Sequence, residues 1–402
     1  MYPPSSQYSA LATDPEEADY VGLRPHRRTW RSSFLSRRSA FVVLGGLIIF
    51  VVGGLYLRSE RTSAKVPLGE SDALPQDAFR FNDSSRPDWL DVPPPEPLVL
   101  RIAVITRLDA FERRRVIRET VFHGVRERDV SMHYRFVVGA PPKTDEGEKT
   151  QRLVQEENDR FDDILMLHEI DDIPERISEK RYGALKWGGS VPNDTYDYFV
   201  TLDSDTFVRF GPLARRLPVL FGDKTIKPRE DPLLIGRMGS HLTYFLPTVP
   251  DGNENAQDED EFVVGPWFSY PIGIGYMLSS SLVKILLSTD PPLPHHIHYP
   301  SDDVMIGSWL ASLRLFHDET IEWKIPPEKV NETHHTFPKP FLPQPIDTLI
   351  IDDIPGWHDF PARGGQQRNV TWDSVCIHHI KAPEMEILRG RPEFQSDWEI
   401  RN

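Results

Sequence analysis

The chain has 402 residues, of which 39% are hydrophobic and 27% are charged, so it is large enough for one big globular domain or two. Its formal net charge of -15 argues against a nucleic-acid-binding protein, because no basic surface would neutralise the phosphates. The single cysteine, Cys376, cannot form an intrachain disulfide. We therefore expect a large hydrophobic core to stabilise the fold.

An uncharged apolar run lies close to the amino terminus. Residues 39–57 are long enough to cross a hydrocarbon core of about 30 Å as one helix. A signal peptide would have a shorter apolar core, so we favour a transmembrane signal-anchor helix. More basic residues precede the run than follow it, and the positive-inside rule therefore places the amino terminus in the cytosol. The preceding arginines are Arg24, Arg27, Arg28, Arg31, Arg37 and Arg38.

The segments on either side of this run have the composition of unfolded chain. Residues 1–38 are polar and become arginine-rich, which predicts a disordered cytosolic tail. Residues 58–97 carry clusters of Ser, Asp and Pro, which predicts a stem in front of a folded lumenal domain at 98–402. Four N-glycosylation sequons follow the apolar run and agree with this orientation. They begin at Asn82, Asn193, Asn331 and Asn369.

Apolar strands alternate with helical segments from residue 98 onward. Strands are predicted at 98–106, 134–139 and 164–167, and helices at 111–122, 144–160 and 175–187. This alternation predicts an α/β fold with a mostly parallel, doubly wound sheet. Arg114 and Arg118 in the first helix are suited to bind a diphosphate, although a solvated charged face is the ordinary use of such arginines.

A further strand is predicted from Tyr196 onward, and it ends in two carboxylates separated by one residue. Aromatic and β-branched side chains lead up to Asp203 and Asp205, as in a strand buried on both faces. Carboxylates at the carboxyl end of such a strand face the crevice where α/β sheets bind ligands, and their oxygens suit Mg²⁺ or Mn²⁺. The alternative is a turn in which the acidic side chains only cap a helix.

Two later segments also suit a ligand site. Gly273 and Gly275 lie in an otherwise apolar run, where they permit a close approach of backbone to ligand or serve a simple turn. Asp302 and Asp303 stand at the predicted start of an apolar helix. They suit the amino-terminal end of a helix as caps, and one of them could serve instead as a general base.

Two adjacent histidines lie near the carboxyl terminus. His378 and His379 belong to an apolar segment that predicts a strand, so their side chains should point to opposite faces. We therefore expect at most one of them to reach a metal. A structural histidine is the alternative.

The order and spacing of these segments resemble the inverting β-1,3-glycosyltransferases, the family that includes the β-1,3-galactosyltransferases and fringe. The resembling segments are residues 114–120, 172–187, 203–208, 273–279 and 301–307. Animal members usually have several cysteines, so the single cysteine is in keeping with a fungal-type member. The resemblance implies a GT-A fold, a UDP-sugar donor and bound Mn²⁺ (or Mg²⁺).

The resemblance also implies roles for individual residues. Asp205 would bind the metal directly, Asp203 would lie close to the ribose or the metal, and His378 would complete the metal site. Asp303 would be the catalytic base. The donor side would further include Arg114, Arg118, Lys180 and Ser204, and the acceptor side Asp302, Gly273 and Gly275.

The implied reaction is transfer of galactose or N-acetylglucosamine to a hydroxyl group of a glycan, with inversion and a β-1,3 linkage. The acceptor would be a glycoprotein or glycolipid in the Golgi.

Two other classes of protein stay open. Residues 202–206 are also similar to the nucleophile motif of haloacid-dehalogenase phosphatases, with Asp203 as the nucleophile. A non-catalytic, membrane-tethered sugar-binding protein is the third reading.

Overall fold

The computed structural model describes residues 74–81, 86–245, 262–289, 302–315 and 346–399. The described residues from Pro75 onward belong to one compact unit, and a second unit, Thr13–Leu74, lies outside the described residues except for Leu74. The predicted tail, the signal anchor and half of the stem, as well as Asn82 and Asn331, are likewise outside them. In the described half of the stem, Ala78, Phe79 and Leu90 are buried and Phe79 pairs with Val370, so these residues belong to the folded unit. Within the described part of the chain, every helix is too short or too polar to cross a membrane.

The described part of the chain contains a large mixed sheet of seven strands in the order β3-β2-β1-β4-β7-β6-β8. The strands are β1 (Leu98–Ile105), β2 (Val130–Ala140), β3 (Ile164–Asp171), β4 (Tyr198–Asp203), β6 (Leu233–Phe245), β7 (Phe262–Ser279) and β8 (Leu349–Asp352). β1 pairs in parallel with β2 and β4, β2 with β3, and β6 with β8. Only β7 is antiparallel to its neighbours, β4 and β6. The predicted α/β fold with a mostly parallel sheet is confirmed.

Seven α-helices of the described residues accompany the strands. They are α1 (Phe111–Ile117), α2 (Asp145–Phe161), α3 (Ile177–Gly188), α4 (Phe210–Phe221), α5 (Ser280–Leu287), α6 (Asp302–Leu315) and α7 (Ala382–Arg389). The sheet is covered on both faces. Val137 of β2 belongs to a cluster with Leu185 of α3, while its neighbour Phe136 packs against Phe122 on the opposite face. Successive strand residues point to opposite faces, so this arrangement requires the apolar runs seen in the sequence.

A small second sheet of the described residues lies beside the end of β4. Its strands are β5 (Phe207–Val208), β9 (Trp357–Asp359) and β10 (Cys376–His378), in the order β5-β10-β9. β10 pairs antiparallel with β5 and parallel with β9. Because β5 follows directly after the acidic turn, this pairing brings the carboxy-terminal histidines close to Asp203 and Asp205.

Candidate functional site

A turn between β4 and β5 carries the paired carboxylates. β4 ends at Asp203, which pairs with Ile105 at the carboxyl end of β1. The Thr206 hydroxyl donates to the carbonyl of Ile274 at 2.9 Å, and the amide of Ile380 donates to the carbonyl of Asp205 at 2.9 Å. The turn is therefore tied both to β7 and to the segment after the histidines. Ser204, which was predicted to contact the donor, is half-buried in this turn.

Three side chains beside this turn can ligate a metal. Asp205, His378 and His379 each offer one ligand atom, and these atoms lie within 4.8 Å of one another. His378 Nε2 is 3.1 Å from Asp205 Oδ1, and the two imidazole rings stack with their centroids 4.0 Å apart. Carboxylate and imidazole are both ligands of divalent cations, so the group fits one. Imidazole suits first-row transition metals better than Mg²⁺, which favours Mn²⁺ within the predicted pair.

His379 is placed differently from the sequence-based expectation. The alternation of a strand would have turned His378 and His379 to opposite faces, but β10 ends at His378 and His379 has a φ of +60°. This left-handed backbone conformation is uncommon for a residue with a side chain. It breaks the alternation, so both imidazoles lie beside Asp205 and do not point to opposite faces as expected. Which of them binds the metal stays a prediction.

Opposite charges stabilise each other within this group. Burial opposes ionisation of Asp205, but the neighbouring His378 outweighs it and holds the pKa of the Asp205 carboxyl well below its usual range. Burial likewise opposes a charge on His378, yet Asp205 and then Asp359 hold the pKa of its imidazole well above the usual value. The pair is thus a carboxylate beside an imidazolium, and a cation bound there would replace the proton of His378.

Asp203 is bound by an arginine that the sequence analysis did not single out. Arg181 Nη2 donates to Asp203 Oδ1 at 2.6 Å, and Arg181 Nη1 donates to the Thr201 hydroxyl at 3.1 Å. The Arg181 residue is only 3% exposed. Asp203 is absent from the three-residue ligand group found among the described residues. The positive charge of Arg181 balances the negative charge of Asp203, whereas the charge of Asp205 faces the two histidines.

The second acidic segment lies close to the acidic turn and to His378. α6 begins at Asp302, and Asp303 Oδ1 lies 4.0 Å from Arg181 Nη2. A methyl group added at Gly273 would lie 3.2 Å from Asp303 Oδ2 and 4.0 Å from His378 Cε1. Gly273 therefore lines the space between Asp303 and His378. The two acidic segments, about 100 residues apart in sequence, thus lie together beside His378.

Gly275 is held where a side chain cannot fit. Its φ is +119°, and an added Cβ would lie 2.7 Å from the carbonyl oxygen of Thr201 in β4. We expect Gly275→Ala to lower the free energy of unfolding by roughly 1–3 kcal/mol because of backbone strain. The contact of the new methyl group with β4 should lower it further. Chemical denaturation of both variants would measure this against Gly222→Ala, because Gly222 also has a positive φ (+58°) but no atom within 4 Å of an added Cβ. Equal losses for the two variants would contradict the role of the contact.

Arg114 and Arg118 are held by acidic side chains of neighbouring elements. Arg114 is fully buried, and its Nη2 lies 2.6 Å from Glu157 of α2. Arg118 Nη1 lies 2.7 Å from the same Glu157, and Arg118 Nε lies 2.7 Å from Asp163. Buried arginines are kept by such carboxylate partners, so these two side chains join α1 to α2 and β3. Neither side chain forms a solvated face, and the predicted diphosphate contact stays a prediction.

Arg113, the residue before Arg114, is the arginine of α1 that reaches the site. Its Nη1 donates to the carbonyl of Ile380, and its positive charge contributes to the lowered pKa of Asp205. Successive helical residues are separated by about 100° around the axis, so neighbours in sequence face different partners. The run of arginines belongs to the predicted helix, but the packing of α1 decides which arginine lies near the acidic turn.

Lys180, which was predicted to contact the donor, has protein partners at the carboxyl edge of the sheet. Its ammonium group donates to the carbonyl of Thr106 at 3.0 Å and pairs with Asp172. Asp172 also accepts from the amides of Leu108 and Gly139. Lys180 therefore braces the loops that follow β1, β2 and β3.

Of the predicted glycosylation sites, Asn369 is exposed and Asn193 is half-buried.

Comparison with known proteins gives one family. A family model described as galactosyltransferase matches residues 112–320, which is more than half of the chain. Solved structures of glycosyltransferases are also similar to this chain, among them the following two. One is a glycosyltransferase involved in the glycosylation of the major capsid of PBCV-1, with 12% identity, a TM-score of 0.30 and coverage of 73% of this chain and 98% of that chain. The other is the galactosyltransferase LgtC in complex with donor and acceptor sugar analogs, with 12% identity, a TM-score of 0.30 and coverage of 74% and 99%. Likenesses at this level do not define an activity.

Proposed function

Because the chain belongs to the galactosyltransferase family, we propose that it transfers a hexosyl unit from a UDP-sugar to a hydroxyl group of a glycan. The sugar is of the galactose or N-acetylglucosamine class, the configuration is inverted, the linkage is β-1,3, and the catalytic domain has a GT-A fold. The observation that carries this proposal is the cleft around Gly273, where Asp303 approaches from one side and His378 from the other.

The donor side of this proposal consists of the acidic turn and the histidines. Asp205, His378 and His379 would hold the cation, most suitably Mn²⁺, while Arg181 keeps Asp203 in place beside them. A bound divalent cation neutralises charge that develops on a departing diphosphate. Arg113 and Lys180 add positive charge at the same edge of the sheet, although each is held by protein oxygens.

Asp303 provides the acceptor side. It has the position and chemistry of a general base, which takes the proton from the acceptor hydroxyl as that oxygen attacks the anomeric carbon. Arg181 Nη2 lies 4.0 Å from Asp303 Oδ1, so a positive charge faces this carboxyl group. Attack opposite to the leaving diphosphate forms one bond as the other breaks, so a single displacement inverts the configuration and needs no enzyme nucleophile.

The cellular setting belongs to the proposal as well. The apolar run at 39–57 and the arginines before it support a single-pass type II protein with its catalytic domain in the Golgi lumen. The exposed Asn369 is accessible for N-glycosylation in a domain of this orientation. The acceptor would then be a glycan on a glycoprotein or glycolipid.

The test is a donor screen with the full-length protein in detergent. UDP release is measured for a panel of UDP-sugars and glycan acceptors, with Mn²⁺ and with a chelator, and the linkage of the product is determined by NMR. We expect Mn²⁺-dependent release with one UDP-hexose and a β-linked product. Binding of UDP without release over the whole panel would favour the sugar-binding protein. A trapped phosphate on Asp203 would favour the phosphatase, although Arg181 already occupies that carboxylate.

A further inference from the structure

A buried carboxylate outside the ligand group contacts both histidines. His378 Nδ1 lies 2.8 Å from Asp359 Oδ1, and His379 Nδ1 lies 3.6 Å from the same oxygen. Asp359 ends β9 and is the direct pairing partner of His378 in the parallel pair of β9 and β10. The residue is only 3% exposed. The contact is therefore built into the register of the small sheet.

Asp359 is itself held in a fixed position. The amide of Gln366 donates to its Oδ2, and the amide of Arg368 donates to its backbone carbonyl at 3.2 Å. Gly365 has a φ of +60°, and a side chain there would collide with the Asp359 carboxylate. The loop after β9 thus closes around this carboxylate, which leaves Asp359 little freedom to turn away from the histidines.

The hydrogen bond from His378 to Asp359 determines which imidazole nitrogen faces the ligand group. With Nδ1–H donating to Asp359 Oδ1, the ring presents Nε2 to the position beside Asp205 Oδ1, 3.1 Å away. A carboxylate that accepts from one imidazole nitrogen fixes the ring and its tautomer, and it makes the other nitrogen a better metal ligand. Asp359 has this relation to His378, whose Nε2 is the proposed ligand atom.

We propose that Asp359 is a positioning residue of the metal site, which orients His378 and strengthens the binding of a divalent cation without contacting it. This proposal rests on the metal site of the proposed function. It extends that site by a residue 19 positions before His378 that no sequence motif marked. Asp359 acts through His378, so its contribution should disappear when His378 is replaced.

The first test measures Mn²⁺ binding by the full-length protein in the absence of UDP-sugar. The EPR signal of aqueous Mn²⁺ reports the unbound ion and gives the dissociation constant directly. Asp359→Asn should raise this constant about 10- to 100-fold. The matched control is Asp353→Asn, because Asp353 is equally buried and is bound by Arg216 at 2.8 Å, away from the histidines. This control should lose thermal stability but keep the Mn²⁺ affinity of the wild type.

The second test separates positioning from a purely structural effect. If Asp359 acts through His378, then Asp359→Asn should weaken Mn²⁺ binding in the wild type but have no further effect in a His378→Gln background. Pulsed EPR of bound Mn²⁺ should show the coupling of imidazole nitrogen in the wild type and a weaker coupling in Asp359→Asn. Should the asparagine variant not fold, Asp359→Glu replaces it, since the longer side chain displaces the carboxylate from His378 and should raise the constant at least about 10-fold.

The outcomes distinguish this inference from the proposed function. If the wild type binds Mn²⁺ and Asp359→Asn binds it equally well, or if the effects of the two substitutions simply add, the positioning role is overturned and the transferase proposal is untouched. If the wild type binds no Mn²⁺, the inference is overturned too. The screen for UDP release, which includes a metal-free arm, then decides the transferase activity by itself.

Discussion

Asp205→Asn is expected to weaken Mn²⁺ binding by roughly 100-fold, the upper end of the loss seen when even a supporting residue of a metal site is removed. Asp205 supplies the negative charge of the ligand group, and an amide oxygen at the same position would be neutral. UDP binding in the presence of Mn²⁺ should fall with it. EPR titration of Mn²⁺ and calorimetric titration of UDP into the full-length protein measure the two effects.

Asp203→Asn is the matched comparison for this prediction. Asp203 is two residues away in the same turn, but it is bound by Arg181 and stands outside the ligand group. We therefore expect a much smaller change in Mn²⁺ affinity than for Asp205→Asn, together with lower stability because the buried Arg181 loses one of its two carboxylate neighbours. An equal loss of Mn²⁺ affinity in both variants would make Asp203 a metal ligand.

Asp303→Asn is expected to lower the rate of sugar transfer by roughly 10²- to 10⁴-fold, the usual contribution of a general base. The amide has nearly the shape of the carboxylate but cannot accept the proton of the acceptor hydroxyl. Because Asp303 is outside the ligand group, the dissociation constants for Mn²⁺ and UDP should change little. Steady-state assays of UDP release, paired with binding titrations of the same preparations, separate these effects.

Asp302→Asn shows which of the two adjacent carboxylates has this role. The helix α6 begins at Asp302, whose position suits the helix dipole, whereas Asp303 lies near Arg181 and Gly273. We expect the Asp302 variant to retain most of the turnover. Normal turnover in Asp303→Asn combined with its loss in Asp302→Asn would transfer the base to Asp302.

The parallel part of the sheet and its acidic turn were predictable from local sequence. Strands buried on both faces must be nearly continuous apolar runs, and β1 and β4 are such runs. A carboxylate at the end of such a strand has to face the ligand crevice, because the carboxyl ends of parallel strands share one edge of the sheet. The positions of Asp203 and Asp205 follow from these two facts.

The residues that surround the acidic turn were less predictable. Arg113, Arg114 and Arg118 are all arginines of one helical segment, yet only Arg113 reaches the ligand side, and Glu157 holds the other two. Nothing in the sequence distinguishes them, because the partner that selects each arginine lies on a different element. The same holds for Arg181, whose partners Asp203 and Asp303 are contributed by β4 and α6.

Composition and periodic patterns were sufficient to establish the class of fold, the acidic turn and the second acidic segment, because each depends on residues close together in the chain. Packing over long distances decided the rest. The parallel pairing of β9 with β10 set Asp359 against His378, and the left-handed backbone at His379 added a second imidazole to the group. Local residue patterns predict neither a strand register nor a single positive φ, since both are selected by the energy of the assembled domain.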